Sequence, residues 1–335
     1  MEYIFEDVLE IKNGKNQKAV ENPDGKYPIY GSGGVMGHAD DYICEPDTVI
    51  IGRKGNINNP IYVDEAFWNV DTAFGLQAKK EVLNPRYLFY FCKKYDFEKL
   101  NKTVTIPSLT KSDLLKIKID LPTMDEQYDV VKKLIKLESV IDLRKQELSK
   151  LDELIKARFV EMFFDKGYPV LPWNDVFNTT TGKLDSNAMV ENGEYPFFTC
   201  AKEVFRIDRY AFDQEALLLA GNNAAGKYDV KYYKGKFNAY QRTYVLGLKQ
   251  NWSYRLFQYQ LEDKLEYLQQ LSLGGLTKYL TMKILRELSF IIPPMDKQIE
   301  FEQFVKQVDK SKVVVKKALD EAQILFDSLM QEYFG

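Results

Sequence analysis

The stretch LPTMDEQ at residues 121–127 is repeated 171 positions later as IPPMDKQ at residues 292–298. Both copies contain a proline, a Met-Asp pair and a final glutamine, and each precedes a long run of mixed charged and apolar residues. A phrase that returns at such a distance indicates an internal repeat, and a repeat determines the architecture of a chain. At 335 residues the chain is long enough to hold two domains.

The repeat extends over nearly the whole sequence. At an offset of 168, nine residues of the range 7–42 are identical to their counterparts in 175–210. From Thr110 onward the offset is 171 without a further gap. Between these parts the predicted offset is 169, which pairs Gly52 with Gly221 and Asn69 with Asn238. The chain is therefore one unit written twice.

The second part of each repeat is predicted to be a long helix. Thr123 and Glu126 have the spacing of a capping box directly after Pro122, and such a box satisfies backbone amides at a helix start. Apolar residues then follow at intervals of three and four, as in a coiled-coil seam. The seam of the first helix consists of Val130, Leu134, Leu137, Ile141, Leu148, Leu151, Ile155 and Met162, with Arg144 and Arg158 at two positions.

The second helix repeats this seam 171 residues later, with Lys312 as its charged member. Two long matched seams in one chain favour pairing with each other. If the repeats are related by a pseudo-twofold axis, as paired units usually are, the two helices run antiparallel. The second seam consists of Phe301, Val305, Val308, Val315, Leu319, Ala322, Phe326 and Tyr333, beside Leu329.

The first part of each repeat is predicted to be a mixed domain. Short β-prone runs such as DTVIIG, PIYVD, ALLLAG and RTYVLGL alternate with segments rich in Gly, Asn and Tyr. We therefore predict an α+β fold in which two pseudo-twofold-related domains are separated by two long antiparallel coiled-coil helices. The predicted segments are a domain at 1–122, a helix at 123–164, a domain at 165–293 and a helix at 294–335.

Composition and missing motifs exclude several classes of protein. No apolar run of 18 residues exists, and the start MEYIFEDVLEIKNGK lacks the basic and apolar regions of a secretory signal. Cys44, Cys92 and Cys200 are widely spaced, which predicts reduced thiols in a cytoplasmic protein. We therefore expect no association with a membrane.

Catalytic motifs are also missing. His38 is the single histidine, whereas zinc sites and nucleophile-base pairs usually need several imidazoles. The sequence has no phosphate-binding GxxxxGK[ST], no GxGxxG, no GxSxG and no Pro-Asp followed by the acidic-x-Lys pattern of nucleases. We predict no catalytic residue, no metal site and no cofactor.

The whole chain resembles the specificity (S) subunit of type I restriction-modification systems. The resemblance rests on VIIGRKGNINNPIYVDEAFWNVDTAFGL at 49–76, on LLLAGNNAAGKYDVKYYKGKFNAYQRTYVLGL at 217–248 and on the two phrases that precede the helices. It implies two target-recognition domains joined by spacer helices, and a subunit without catalytic activity. Its expected partners are double-stranded DNA, two modification (methyltransferase) subunits and, through the complex, restriction subunits.

DNA-reading residues are expected in polar loops, because Arg matches guanine edges and Asn or Gln matches adenine edges in the major groove. Two loops in each domain fit, one after the buried strand and one before the helix, and Lys231 is a candidate phosphate contact. In the first domain the candidates are Arg53, Lys54, Asn56, Asn58, Asn59, Thr105 and Ser108. In the second they are Asn222, Asn223, Lys227, Gln241, Arg242, Thr277, Lys278 and Tyr279.

Charge supports DNA binding only locally, since the net charge is -3. Residues 222–249 carry six basic residues against Asp229, and residues 93–118 carry seven lysines against three acidic residues. Local surplus of this kind is typical of a DNA-binding face, and also of edge strands blunted by lysine.

The two readers are predicted to differ. At the offset of 169, Arg53 and Lys54 align with Asn222 and Asn223, and Asp71 and Thr72 align with Tyr240 and Gln241. A bipartite DNA site with two different half-sites follows. The alternatives are a recognition subunit serving methylation only, a self-contained DNA methyltransferase or nuclease, and a coiled-coil adaptor without a DNA role.

Overall fold

The computed structural model describes residues 1–101, 107–224 and 226–335. The chain divides into two compact units: unit 1 consists of Met1–Gln146 and Lys316–Gly335, and unit 2 of Glu147–Val315. Both unit boundaries fall inside the long helices. Each unit therefore combines one mixed domain with a segment of each helix, whereas the sequence repeat runs as domain, helix, domain, helix.

Unit 1 contains a four-stranded sheet of order β2-β8-β5-β6, a three-stranded sheet β4-β3-β7 and the pair β1-β9. A 3₁₀ turn spans Phe97–Leu100. The strands and helices are β1 Glu2–Ile4, α1 Phe5–Val8, β2 Leu9–Asn13, β3 Tyr27–Gly31, β4 Gly34–Ala39, β5 Thr48–Gly52, β6 Ile61–Val63, β7 Trp68–Asn69, β8 Ala73–Ala78, α2 Pro85–Lys94, α3 Lys111–Leu114, β9 Lys118–Asp120 and the start of α4 Met124–Phe163.

Unit 2 contains a six-stranded sheet of order β11-β17-β14-β16-β12-β13 and the pairs β10-β19 and β15-β18. A 3₁₀ turn spans Ser186–Ala188. The strands and helices are β10 Val170–Pro172, α5 Trp173–Val176, β11 Phe177–Thr181, β12 Tyr195–Phe198, β13 Phe205–Ile207, β14 Phe212–Ala220, β15 Asn222–Asn223, β16 Val230–Ala239, β17 Thr243–Leu248, α6 Tyr254–Glu262, α7 Leu265–Leu271, β18 Lys278–Tyr279, α8 Met282–Leu285, β19 Ser289–Ile291 and the start of α9 Met295–Phe334.

The two sheets of unit 1 correspond to the single large sheet of unit 2. One continuous strand, β16, pairs with β14 along most of its length and with β12 at its end. In unit 1 the same path is divided into β6, which pairs with β5, and β7, which pairs with β3. The predicted β-prone runs all lie in strands of these sheets, which confirms the mixed domains.

The buried faces of the central strands correct the predicted repeat offset. Val49 and Ile51 of β5 lie in the larger core of unit 1, and Leu217 and Leu219 of β14 lie in that of unit 2. Because alternate strand residues face opposite sides, this match excludes the odd offset of 169 and is met at 168, which pairs Val49 with Leu217 and Ile51 with Leu219. The predicted pairing of Gly52 with Gly221 is therefore wrong by one residue.

In the neighbouring strand the repeat offset is one residue larger than the predicted 169. The backbone N–H of Val70 donates to Tyr30, and that of Tyr240 donates to Phe198, at 3.0 and 2.8 Å. Tyr30 and Phe198 are 168 apart, so Val70 and Tyr240 are equivalent at an offset of 170. The predicted pairing of Asn69 with Asn238 is wrong for this reason.

The long helices bury the predicted seams inside each unit. In unit 1, Leu134 and Ile141 of α4 lie in one cluster with Phe326 of α9, and in unit 2 Ile155 lies with Phe301 and Val305. Charged seam residues are paired there. Lys312 contacts Asp152, and Arg158 contacts Glu300 at 2.6 Å, so the two helix segments of unit 2 run antiparallel.

The predicted capping box is present at the start of α4. The backbone N–H of Thr123 donates to the Glu126 carboxylate at 2.9 Å, and the N–H of Glu126 donates back to the Thr123 hydroxyl at 3.4 Å. The glutamine at the end of the repeated phrase has a separate role. Gln127 is buried; its Oε1 accepts from the N–H of Asn84 at 2.9 Å, and its Nε2 donates to the carbonyls of Val82 and Pro122.

Gln298 repeats this arrangement in unit 2. Its Oε1 accepts from the N–H of Ser253 at 3.0 Å, and its Nε2 donates to the carbonyl of Pro293 at 2.8 Å. Asn84 and Ser253 are the N-cap residues of α2 and α6. Each glutamine therefore fastens the start of a long helix to the capped end of a domain helix, which explains why the phrase occurs twice.

Candidate nucleic-acid interface

In unit 1 the two predicted reading loops meet at the end of β5. The backbone N–H of Arg53 donates to the carbonyl of Thr72 at 2.8 Å, and the carbonyl of Arg53 accepts from the N–H of Leu109 at 3.0 Å. The segment directly after β5 is thus hydrogen-bonded on one side to Thr72, just before β8, and on the other side to the loop before α3. The Arg53 side chain is exposed, with its guanidinium 5.7 Å from the centre of the Phe74 ring.

The next residues extend this ladder of backbone hydrogen bonds. Lys54 and Ser108 form an antiparallel bridge, and the N–H of Gly55 donates to the carbonyl of Pro107 at 3.0 Å. The structure therefore brings Arg53, Lys54 and Ser108 together. Thr105 lies outside the described residues.

The three predicted asparagines of this loop differ in their surroundings. Asn58 accepts a hydrogen bond from the N–H of Phe97 at 2.8 Å and donates to Asp96 at 3.2 Å, so its amide caps the 3₁₀ turn. Asn58 is thus hydrogen-bonded within unit 1, although it is exposed, as are Asn56 and Asn59.

Unit 2 contains the same ladder with other side chains. The N–H of Gly221 donates to the carbonyl of Arg242, and the carbonyl of Gly221 accepts from the N–H of Leu280, both at 2.8 Å. The hydroxyl of Tyr244 donates to the Leu280 carbonyl at 3.1 Å, and burial raises the pKa of this hydroxyl against a smaller effect of the Arg242 charge. The Arg242 side chain is exposed.

Strands β15 and β18 continue this ladder. Asn222 pairs with Tyr279 and Asn223 with Lys278, so the two predicted loops of unit 2 form one small sheet. The Oδ1 atom of Asn223 accepts from the N–H of Lys227 at 3.2 Å. The structure thus brings together most of the predicted reading residues of this unit: Asn222, Asn223, Lys227, Arg242, Thr277, Lys278 and Tyr279.

Two predicted residues of unit 2 have partners elsewhere. Lys231 is only 16% exposed at its side chain, is paired with Asp229, and donates to the carbonyl of Ala201 at 2.8 Å. This surrounding does not support a phosphate contact by Lys231. Gln241 is exposed, and its amide donates to Asp185 at 2.5 Å, so it is available only if that bond is exchanged.

The basic windows are partly neutralised in the fold. Lys93 is paired with Glu138 and Lys118 with Glu2, while Lys234 is paired with Glu215. Part of the positive charge of the two windows is therefore neutralised within the fold.

Within the described residues, no group of three or more His, Cys, Asp or Glu side chains could hold a metal ion. The three cysteines are free, and Cys44 and Cys92 are buried. No helix in the described ranges is long and apolar enough to span a membrane.

Sequence reasoning missed the partner of Gln241 and two glutamine clamps, which are the hydrogen bonds between Gln127 and Asn84 and between Gln298 and Ser253. The clamps were detectable only as a repeated glutamine of unknown role, because the amides that they hold at the domain helices, those of Asn84 and Ser253, lie more than 40 residues away. Asp185 gave no signal, since one isolated carboxylate in a loop has no motif.

Comparison with known families matches both repeats. The family described as "Type I restriction modification DNA specificity domain" matches residues 2–153 and 166–322. The chain is 36% identical over 145 residues to the type I restriction enzyme EcoDI specificity subunit of Escherichia coli, an alignment that covers 41% of this chain and 31% of that protein. The matched part therefore spans about a third of that relative.

Two solved structures have a similar fold. The crystal structure of the type I restriction-modification system S subunit from M. genitalium is 17% identical with a TM-score of 0.69, covering 100% of this chain and 96% of that one. A structure described as the structural basis underlying complex assembly and conformational transition of the type I R-M system is 16% identical with a TM-score of 0.57, covering 100% and 97%. The predicted α+β fold with two repeats and two long helices is confirmed.

Proposed function

Because the chain belongs to the type I restriction modification DNA specificity family, we propose that it reads a bipartite DNA site, one half-site per unit, for a restriction-modification complex. The observation that carries this proposal is the ladder found in both units. Two separate loops are joined there by backbone hydrogen bonds, and their exposed side chains are of the kinds that recognise base edges and phosphates. The free cysteines fit a cytoplasmic site of action.

The half-sites should differ in sequence. With the corrected offsets, Lys54 corresponds to Asn222, Arg53 to Gly221 and Thr72 to Arg242. Each unit thus presents one arginine at this point of the ladder, but on the opposite member of the hydrogen-bonded pair. An arginine that pairs with guanine in one half-site has no equivalent at the same place in the other.

The chain itself should be non-catalytic. Methyl transfer and cleavage would come from two modification subunits and from restriction subunits of the same complex. The described part of the chain holds no cluster of metal-ligating side chains. A methyl-transfer assay on the isolated chain should show no activity above background.

The modification subunits should dock on exposed apolar residues of the helix segments, which the seams leave uncovered. Apolar side chains of this size at the surface indicate an interaction site when they cluster. In unit 1 they include Tyr128, Ile135 and Leu143 of α4 with Ile324 and Leu325 of α9. In unit 2 they include Leu154 and Val160 of α4 with Ile299, Val313 and Val314 of α9.

Two such groups fit two copies of one partner. Light scattering of the chain saturated with modification subunit should give a two-to-one complex, and a stable one-to-one complex at saturation contradicts the proposal.

The proposal as a whole is tested by selection from a duplex library with two randomised blocks. We expect two different conserved blocks at a fixed separation. Binding without sequence preference, or selection of a single block, contradicts it.

A further inference from the structure

A short turn of unit 2 has a defined backbone between Leu273 and Tyr279. These two residues exchange hydrogen bonds of 3.1 and 2.8 Å between their N–H and carbonyl groups. Gly274 has a φ of +104°, and a Cβ at this position would lie 2.2 Å from the carbonyl oxygen of Thr277. Only glycine fits there, so the shape of the turn is set by the sequence.

The turn presents Leu276 to solvent. Its relative exposure is 95%, the highest of any large hydrophobic residue in the described part of the chain. Leu273 and Tyr279 are also exposed, at 48% and 41%. Burial of an apolar side chain of this size is favourable because its surface is removed from water, which happens when another apolar group packs against it.

The position of the turn indicates what covers Leu276. Tyr279 pairs with Asn222 in the small sheet, so the turn is attached directly to the predicted reading ladder. The residues beside it, Asn223 and Lys278, are polar or basic. On a DNA duplex, the apolar group that lies among polar base edges in the major groove is the 5-methyl group of thymine.

We propose that Leu276 is a specificity-determining residue that packs against the 5-methyl group of a thymine in the half-site read by unit 2. This inference rests on the proposed function of the chain. It assigns a base preference to an apolar residue, and such a preference cannot be inferred from hydrogen-bonding groups.

The test uses the full chain assembled with its modification subunits and the duplex chosen by library selection. Each thymine of the two half-sites is replaced in turn by uracil, which removes only the methyl group. The wild-type complex should bind about fourfold more weakly at one position of the unit 2 half-site, the effect of one buried methyl-sized group. Leu276→Ala should bind thymine and uracil equally at that position.

Val170→Ala is the matched control, because Val170 is an exposed apolar residue of the same unit at 57%. It should keep the thymine preference, and neither variant should change the melting temperature. A wild-type complex that binds thymine and uracil equally at every position overturns the inference, as does a Leu276→Ala complex that keeps the preference. Tighter binding to a mismatched step, lost in Leu276→Ala, assigns Leu276 as a wedge between bases and overturns it too. Failure of the wild type to select any sequence overturns the proposed function instead.

Discussion

The ladders of the two units have the same pattern of backbone hydrogen bonds and differ in their side chains. In unit 1 the hydrogen-bonded pair beyond the central strands is Arg53 with Thr72, and in unit 2 it is Gly221 with Arg242. Each pair contains one arginine, on opposite members. The two units therefore share the backbone hydrogen bonds that hold the loops, whereas the side chains that face outward differ between them.

Glycine at position 221 has a steric reason. A Cβ there would lie 2.3 Å from the carbonyl oxygen of Arg242, so the two strands approach too closely for any side chain. In unit 1, Gly52 is required by a different contact, because its Cβ would lie 2.0 Å from the carbonyl oxygen of Asn56 in the loop that follows it. The two glycines therefore have different steric reasons and stand one residue apart in the repeat, which is why matching glycines gave the wrong offset.

The largest effect is expected from shortening both helices. We propose that the helix pair sets the separation of the two half-sites. Deleting Lys145–Leu151 and Lys316–Ala322 together removes one heptad from each helix, about 10 Å of length, and keeps the seam in register. Binding to the native site should be lost, and library selection should return the same two blocks at a shorter separation.

As the control, the circular dichroism spectrum of the shortened chain should show the same β content as the wild type, which means that both units stay folded. Selection of the native separation by the shortened chain contradicts the proposed role of the helices.

The second prediction compares the two glutamine clamps. Gln127→Ala leaves a backbone N–H and two carbonyls of unit 1 without their partner, and unsatisfied buried groups cost about 1–3 kcal/mol each before relaxation. We expect about 3 kcal/mol of lost unfolding free energy in urea for Gln127→Ala and about 2 kcal/mol for Gln298→Ala, which loses fewer bonds.

Gln303→Ala, at an exposed position of α9, is the matched control and should change the unfolding free energy by less than about 0.5 kcal/mol. Equal effects of all three substitutions would contradict the clamp.

The third prediction uses the displaced arginines. Arg242→Ala should cost roughly 1–3 kcal/mol on the native site and relax preference at one position of the half-site read by unit 2. Arg53→Ala should have the same effect in the other half-site only. Competition against libraries randomised in one half-site at a time measures both. Unchanged preference profiles remove these arginines from the reading residues, and a loss in the wrong half-site reverses the assignment of units.

Part of this comparison was predictable from the sequence. The repeated phrase, the apolar seams and the strand runs predict the architecture because they depend on local periodicity. The register between strands does not follow from identity, since Gly52 and Gly221 match as letters but serve different strand positions. The pairing of two distant loops, the bond from Phe97 to Asn58 and the bond from Lys231 to the Ala201 carbonyl depend on tertiary contacts that no local pattern encodes.

The smallest effect is expected from two lysines that look alike in the sequence. Lys227 lies in the turn after β15, is exposed, and has no ion-pair partner among the described residues. If it contacts a phosphate, Lys227→Ala should weaken native and random DNA equally and reduce the slope of log K against log salt by about 0.9. Lys231→Ala should leave that slope unchanged, because Lys231 already neutralises Asp229 and donates to the Ala201 carbonyl. It should instead lower the thermal stability of the chain, since Asp229 and that carbonyl lose their partner. Titrations of both variants at several salt concentrations, with thermal unfolding beside them, separate the two roles; a reduced slope in Lys231→Ala with normal stability means that the side chain leaves Asp229 when DNA binds.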